Sequence, residues 1–311
     1  MPKTKKEKEP AEAKEGAPKR RPPAKKKPVE EAKPPKASKS KLEGPAAKGA
    51  ADRGQVHVYS LDGDVVRTID LPSVFRTDLR TDLIRRAVTA AQANRRQPYG
   101  PTHGAGMRHS VRWSGKGHGV SRVPRIRGTM IGAQAPGTVG GRRAHPPRPD
   151  TTWAQKINDR ERKMARNAAL AGVRDAGLVS SRGHRFKDGL SLPVVVEDGI
   201  ETLAPEDGAT QEGVKILSRF GLLSDVERAK DGRHIRAGRG KMRGRRYRQP
   251  VSLLVVVKDS TNVRRLFGNL PGVEIVSPAG LNAERLAPGG APGRLTMFSE
   301  GALEVLRSWG P

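Results

Sequence analysis

Two short runs that alternate glycine with cations are the first residues in this chain that could do chemistry, because such runs can cradle phosphate groups. In the run at residues 238–244, Met242 stands where the Walker pattern requires Ser or Thr, and Ile235 where it requires its first glycine. The run at residues 115–119 lacks the third glycine of the dinucleotide fingerprint, which would fall at Val120. A nucleotide cofactor is therefore not predicted. Both runs instead offer backbone that can approach a partner closely, between side chains that bind phosphate oxygens.

Histidines and carboxylates could build a metal or catalytic site, but their arrangement does not favour one. His103, His109, His118 and His145 lie in glycine- and proline-rich sequence, with no carboxylate nearby and without the i, i+4 spacing of a helical ligand pair. The chain has no cysteine, and its acids avoid the two most basic segments, so no paired-carboxylate or Ser/His/Asp arrangement is visible. The sequence predicts no metal, no cofactor and no enzymatic activity.

Two aromatic residues are flanked by arginine, which is a pattern suited to unpaired nucleic-acid bases. Trp113 follows Arg112, and Tyr247 lies between Arg246 and Arg248. An aromatic ring beside guanidinium groups can stack on a base while the cations bind the backbone. The alternative is that each ring covers the base of its own loop. The sequence leaves both interpretations open.

The longest segment with this chemistry is residues 94–149, termed the basic loop. It contains 11 Lys or Arg, 11 Gly and 7 Pro, with no Asp or Glu. No period of 2 or 3.6 runs through it, so neither sheet nor helix is predicted, and ordering its backbone costs on the order of 50 to 100 kcal/mol, which a large anionic partner must offset. The predicted RNA-binding residues of the loop are Arg95, Arg96, Arg108, Arg112, Trp113, Lys116, Gly117, Gly119, Arg122, Arg125, Arg127, Arg142 and Arg143.

A second basic block, residues 230–248, precedes a predicted strand. It carries nine Lys or Arg against one acid, Asp231. Such a cluster can follow an RNA backbone through contacts to phosphates. Its predicted RNA-binding residues are Arg239, Lys241, Arg243, Arg245, Arg246, Tyr247 and Arg248.

The charge of the whole chain supports a nucleic-acid partner. Its 311 residues include 60 Lys or Arg and 32 Asp or Glu, for a net charge of +28 and a pI near 11.1. A membrane surface is the competing polyanion, but there is no basic amphipathic helix, and the longest aliphatic run, residues 253–257, is too short to span a bilayer. No apolar region follows the Lys-rich start, so no secretory signal is predicted. The absence of cysteine fits a reducing compartment.

Two predicted helices flank the basic loop. Apolar residues at helical spacing between residues 79 and 91, with Thr77 or Thr81 as the N-cap, predict a helix that ends where the loop begins. Beyond the loop, Asn158 is followed three residues later by Glu161, which is the capping-box pattern of another helix. The small residues on this second helix favour close packing beside the first. The loop is therefore predicted to leave and re-enter one globule.

Short runs rich in β-branched residues predict the strands of that globule at residues 55–59, 65–69, 192–196, 252–257, 273–276 and 294–298. Helical patterns fall between them, capped from Thr210, from Asp259 or Ser260, and beginning at Glu300. Strands that alternate with helices indicate an α/β fold with a mainly parallel sheet. We predict one domain over residues 51–311, interrupted by the basic loop.

Residues 1–50 have the composition of a disordered tail. They contain 16 Lys or Arg, 7 Glu and 9 Pro, and almost no large aliphatic residue. Such a segment cannot bury enough apolar surface to fold alone. A solvated arm and a polyelectrolyte that touches nucleic acid are equally consistent with it.

Several stretches together resemble the universal large-subunit ribosomal protein four family, in its archaeal and eukaryotic branch. They are LPSVFRTDLRTDLIRRAVTAAQANRRQPYG (71–100), RVPRIRG (122–128), AHPP (144–147), NDRERKMARNAALAG (158–172), GKMRGRRYR (240–248), NLPGVEIV (269–276) and LAPGGAPGRLTMFSEGAL (286–303). The resemblance covers residues 56–309. Residues 1–50 have no counterpart in the family core, and the long carboxyl-terminal extension of eukaryotic members is missing, which favours the archaeal type.

The resemblance implies a three-layer α/β/α globule on the surface of the large ribosomal subunit, in the cytoplasm, with the loop threaded into ribosomal RNA. It implies that residues 116–119 match the family's loop tip, near the constriction of the nascent-peptide exit tunnel. The implied partners are large-subunit ribosomal RNA, neighbouring ribosomal proteins and the nascent peptide near the tip. The alternative is a non-ribosomal basic nucleic-acid-binding protein, which would be expected to carry a DNA-reading module such as a helix-turn-helix, and none is visible.

Overall fold

The computed structural model describes residues 54–203 and 208–310. The predicted disordered tail, residues 1–50, lies outside this part of the chain. The strands are β1 Gln55–Tyr59, β2 Val65–Asp70, β3 Val111–Arg112, β4 Arg125–Ile126, β5 Val194–Val196, β6 His234–Ile235, β7 Tyr247–Arg248, β8 Leu254–Val256, β9 Glu274–Val276 and β10 Thr296–Ser299. The helices are α1 Thr81–Asn94, α2 Asp159–Arg174, α3 Ala176–Ser181, α4 Gly199–Thr202, α5 Ala209–Arg219, α6 Leu223–Asp231, α7 Thr261–Phe267, α8 Ala283–Leu286 and α9 Glu300–Arg307.

A six-stranded sheet with the order β2-β1-β5-β10-β8-β9 forms the centre of the globule. All neighbouring strands are parallel except the edge pair β1 and β2, which is antiparallel. The central strands β5 and β8 are buried along their whole length, as expected of parallel strands covered on both faces. The prediction of an α/β fold with a mainly parallel sheet is confirmed.

Hydrophobic cores lie on both faces of this sheet. Along the strands the side chains alternate, so that Val195 and Phe298 pack with α1, α2 and α9, whereas Val194 and Met297 pack with α5, α6 and α7. Helices therefore cover the sheet from both sides. This is the three-layer arrangement that the resemblance implied.

The helices α1 and α2 that flank the basic loop pack against each other, as predicted. Small side chains such as Ala87 on α1 and Ala168 on α2 are buried in one core, and an ion pair of 3.0 Å joins Arg86 to Glu161. Gly172 lies so close to Pro292 that a Cβ atom would come within 2.8 Å of its ring. The small residues of α2 therefore allow close approach on two sides.

The helix starts depart from the sequence prediction. Arg80, with its side chain on Asp82, is the N-cap of α1, and Thr77 instead donates to the Val74 carbonyl. Asn158 is at the N-cap of α2, but Glu161 pairs across to α1 rather than completing a capping box. The prediction of Asn158 as an N-cap is confirmed. The Thr77 cap and the capping box were wrong, because Thr77 and Glu161 each have another partner, and Thr81 is the first residue of α1 rather than its cap.

Other helices differ from the predicted pattern. Gly208, in the left-handed conformation, precedes α5, so Thr210 lies inside the helix rather than capping it. The helices α3, α4, α6 and α8 were not predicted. In α6 the buried side chains are only Asp225, Val226 and Ala229, which is too short an apolar pattern to distinguish from a loop.

Candidate nucleic-acid interface

The base of the basic loop is closed by contacts between its two arms. The indole of Trp153 stacks on the ring of Tyr99 with centroids 5.9 Å apart and planes 16° from parallel. The guanidinium of Arg96 lies 4.2 Å from the centre of the same indole. We term these three residues the aromatic clamp. Next to it, a Cβ atom on Gly100 would come within 2.7 Å of the Pro147 carbonyl oxygen, so only glycine allows the arms to approach this closely.

Contacts to the globule hold the same end of the loop. The Asn94 Oδ1 atom accepts a hydrogen bond of 2.8 Å from the Gln155 backbone, and Arg95 forms an ion pair of 2.5 Å with Glu284 at the start of α8. Arg95 and Arg96, both predicted to bind RNA, are thus engaged with protein groups. Sequence reasoning missed Trp153, because nothing in the sequence says that a residue 54 positions after Tyr99 returns to it.

A small ladder of backbone hydrogen bonds crosses the middle of the loop. The strands β3 and β4 pair antiparallel, and the β4 strand continues through a tight turn, in which the Ile126 amide donates to the Ile131 carbonyl at 3.0 Å. The side chain of Gln134 donates to the carbonyls of Met107 at 2.9 Å and His109 at 2.7 Å. The prediction of no sheet in this segment was wrong, because such a ladder needs only backbone groups and glycine turns, not a hydrophobic period.

Residues 113–124 connect β3 to β4 and contain the run that the resemblance places at the loop tip. Lys116 is exposed. Gly117 and Gly119 have φ angles of +81° and +66°, and a Cβ atom on either would have no heavy atom within 4 Å. Glycine is therefore required here by the left-handed backbone and not by a neighbouring part of the chain.

The remaining predicted cations of the loop are open to solvent or half-buried. Arg125 and Arg142 are half-buried, whereas the exposed ones are Arg108, Arg112, Lys116, Arg122, Arg127 and Arg143. Of the cations predicted for the loop, only Arg95 is in an ion pair with a described residue. Apolar side chains are exposed beside them, with Met130 at 67%, Ile131 at 62% and Val139 at 99% exposure. A loop that exposes both cations and apolar groups is suited to a large partner that buries them.

A groove opens beside Trp113, between the end of β3 and the turn after β4. It has a volume of about 720 Å³. Its lining residues are Arg112, Trp113, Ser114, His118, Arg125, Ile126, Arg127, Gly128 and Thr129. The indole of Trp113 is 64% exposed, and no ring or guanidinium of a described residue lies over it.

The second basic block forms a separate hairpin. In it β6 pairs antiparallel with β7, and the Arg236 amide donates to the Arg246 carbonyl at 2.9 Å. The 3₁₀ turn Arg239–Met242 forms its end. Every predicted RNA-binding side chain of the block is exposed, and within the described residues none of these cations forms an ion pair.

The ring of Tyr247 has two guanidinium groups of its own hairpin beside it, with 45% of the residue exposed. The guanidinium of Arg233 lies 4.2 Å from the ring centre and that of Arg246 lies 5.6 Å from it. This arrangement favours the alternative interpretation, in which the ring stabilises its loop. Trp113 and Tyr247 both lie beside arginine in sequence, but of the two only Tyr247 has guanidinium groups of described residues over its ring.

A buried carboxylate holds the base of the second basic block. Asp225 of α6 is fully buried and accepts hydrogen bonds from the Arg228 Nε atom at 2.9 Å and from His184 Nδ1 at 3.0 Å. Arg228 also donates to the Val251 carbonyl at 3.0 Å, just after the block. Burial alone raises the pKa of Asp225, but the hydrogen bonds from His184 and Arg228 outweigh burial and lower the pKa below its usual value.

Side chains that could ligate a metal ion are scattered over residues 54–203 and 208–310. Within these ranges, His, Asp and Glu side chains form no group of three or more that could hold a metal ion. Among the helices in the same ranges, none combines the length and apolarity needed to cross a membrane.

Comparison with known proteins identifies relatives of the whole globule and loop. The sequence model described as the ribosomal protein L4/L1 family matches residues 69–309. The chain is 48% identical over 253 residues to the large ribosomal subunit protein uL4 of Thermoplasma acidophilum, covering 81% of this chain and 97% of that protein. It is 46% identical over 250 residues to the protein of the same name from Halobacterium salinarum, covering 80% and 98%. For that of Methanopyrus kandleri the identity is 47% over 254 residues, covering 80% and 96%.

Proposed function

The chain belongs to the ribosomal protein L4/L1 family, and from this membership we propose that it is a non-enzymatic protein of the large ribosomal subunit that binds ribosomal RNA and helps to line the nascent-peptide exit tunnel. Ribosomal RNA and neighbouring ribosomal proteins are its partners. The basic loop and the second basic block are the RNA-binding surfaces, and the loop tip at Lys116 faces the nascent peptide.

The observation that carries the RNA-binding role is the set of exposed cations without acidic partners. Residues 94–149 contain no acid at all, and the predicted cations of the second block have no ion pair with a described residue. Unpaired cations displace the counterions condensed on nucleic acid, and this release drives binding. Cations elsewhere on the globule are often paired, as Arg67 is with Glu300.

Two constrictions of the basic loop support a role for its tip at a distance from the globule. The aromatic clamp closes the loop at its base, and the β3–β4 ladder closes it again before the tip. Between the ladder strands the chain exposes Lys116 among glycines, with a backbone that bulky residues rarely adopt. A narrow, constrained projection with a slim tip is suited to passing between RNA helices into a confined space.

The subunit role is tested by co-sedimentation with large subunits at moderate salt. The full chain should sediment with the subunit. A deletion of residues 108–143 keeps the aromatic clamp and the second block, so it should remain folded and still bind RNA, but more weakly. Unfolding of the deletion variant would contradict a loop that is independent of the core, and failure of the full chain to sediment would contradict the subunit role.

The tunnel role is tested with a unique cysteine, because the natural chain has none. Lys116→Cys in assembled ribosomes should cross-link to a cysteine placed in a stalled nascent chain. Met242→Cys is the matched control, since Met242 is 80% exposed and lies at the turn of the second block. Equal cross-linking at both positions, or none at Lys116→Cys, would refute the assignment of the tip to the tunnel.

A further inference from the structure

We propose that the groove beside Trp113 is a binding site for one unstacked RNA nucleotide, whose base stacks on the indole while its phosphate is held by Arg112, Arg125 and Arg127. This inference rests on the proposed RNA-binding role of the loop. It adds a defined ligand, a single nucleotide turned out of its helix, at a defined place.

The apolar wall of the groove has the form that a base requires. Trp113 and Ile126 both line it, and the indole is 64% exposed. Two other aromatic rings near arginine have protein partners: Trp153 is stacked on Tyr99, and the Arg233 guanidinium lies over Tyr247. By contrast, no ring or guanidinium of a described residue lies over Trp113, and base stacking is the interaction that an open aromatic face makes with RNA.

The polar wall selects an anion. Three arginines line the groove, and the whole loop has no acid to neutralise them. Arg125 is held in place by a hydrogen bond of 2.5 Å from its Nη1 atom to the Met130 carbonyl. Its Nε atom is buried and lacks a hydrogen-bond partner among the described residues. A ligand cannot reach this buried Nε atom, so a phosphate oxygen would be held by the exposed guanidinium groups of Arg112 and Arg127 and by the terminal nitrogen atoms of Arg125.

The groove is also formed before any ligand binds. The β3–β4 pair and the turn after it carry backbone hydrogen bonds, and the Thr129 hydroxyl donates to the Ile126 carbonyl at 3.1 Å. Prior order lowers the entropy that binding must overcome. The volume of about 720 Å³ lies within the roughly 300 to 1,000 Å³ typical of small-ligand sites. This volume suits one nucleotide.

The groove lies close to the tip of the loop along the chain. Trp113 is three residues from Lys116 along the chain, so a nucleotide bound there fixes the loop just behind its tip. Phosphate contacts position a protein on nucleic acid, but they do not involve the bases. A base on the indole gives the tip one defined position in the RNA.

The test compares an oligoadenylate with an abasic oligonucleotide of the same length, each bound to the full chain at constant salt. Trp113→Leu should weaken oligoadenylate binding about 5- to 160-fold, which is the roughly 1 to 3 kcal/mol of one stacked base, and leave abasic binding unchanged. Oligoadenylate should quench part of the tryptophan fluorescence of the natural protein, and this quenching should be absent in the Trp113→Leu variant. Trp113→Phe should recover most of the affinity, and Val66→Ala, an exposed position on strand β2 of the globule, should change nothing.

The outcomes separate this site from the general function. If Trp113→Leu binds oligoadenylate as tightly as the natural protein, or weakens both probes equally, the nucleotide site is refuted while RNA binding by the loop stands. If the natural protein binds neither probe, the proposed RNA-binding role fails, and the site fails with it.

Discussion

Replacing Arg243, Arg245 and Arg246 together with glutamine should remove phosphate contacts from the second basic block without damaging the globule. All three side chains are exposed, and the hairpin bonds that involve these residues run through backbone atoms, such as that from the Arg245 amide to the Gly240 carbonyl at 3.1 Å. Surface substitutions of this kind change the free energy of unfolding by about 0.5 kcal/mol or less. The expected effect is on RNA binding alone.

The magnitude follows from how many phosphates the variant no longer neutralises. Each neutralised phosphate contributes about 0.7 to 0.9 to the slope of log affinity against log salt, so the removal of three cations should flatten the slope by about 2.1 to 2.7. Over a fourfold rise in salt the natural protein should therefore lose about 20- to 40-fold more affinity than the variant. The measurement is a titration of large-subunit ribosomal RNA fragments at several salt concentrations, followed by filter binding or fluorescence anisotropy.

A matched variant removes the same charge from elsewhere on the globule. Three exposed arginines already have acidic partners: Arg67 with Glu300, Arg80 with Asp82, and Arg219 with Asp62. Their joint replacement by glutamine lowers the net charge equally but should leave the slope unchanged. An unchanged slope in the block variant would mean that the second block neutralises no phosphates, and an equal change in both variants would mean that it acts only through net charge. Either result would refute the reasoning from unpaired cations.

Three further results are expected. Lys116→Glu should leave the free energy of unfolding within about 0.5 kcal/mol of the natural value, yet alter nascent-chain stalling or the action of tunnel-directed inhibitors; ribosomes indistinguishable from the natural ones would contradict this. A chain that begins at Ala51 should keep its melting temperature, because the sequence before it has almost no apolar surface to contribute; a fall of several degrees would mean that the tail packs on the globule. Asp225→Ala should lower the free energy of unfolding at neutral pH by about 3 kcal/mol or more, because it leaves Arg228 without its buried partner. The pKa of Asp225 is lowered in the folded protein. The natural protein should therefore keep this stabilisation above the unfolded carboxyl pKa of about 4 and lose it as the pH falls through the folded pKa. Urea unfolding should show different free energies of unfolding for the natural protein and the Asp225→Ala variant at neutral pH, and similar ones at acidic pH.

The central sheet was predictable because its strands are buried on both faces. Runs such as residues 192–196 and 252–257 lack the alternation of polar and apolar residues that marks a surface strand, and they are too short to be helices. The helix α6 was missed for the opposite reason, since most of its residues are polar and its buried Asp225 is satisfied partly by His184, which lies 41 residues earlier in the chain. No local pattern reports a tertiary ion pair.

The charge of the interface could be predicted from composition, but its selectivity could not. Trp113 and Tyr247 have the same arginine-flanked context in sequence. Their difference arises because antiparallel pairing of β6 and β7 brings Arg233 over the Tyr247 ring, and strand register is a property of the folded hairpin. The same holds for Gln134, whose two hydrogen bonds join segments more than 20 residues away.

The aromatic clamp has a consequence for how the length of the basic loop can vary. Because Tyr99 and Trp153 are in contact, the segment between them forms a closed ring. The two ends of this segment stay at the same distance from each other whatever its length. The entropy of closing a ring grows only logarithmically, so doubling the enclosed length costs about 0.6 kcal/mol. Insertions and deletions beyond the clamp are therefore nearly neutral for the stability of the globule. The depth to which the projection reaches can be adjusted by evolution, or by design, without altering the sheet that carries it.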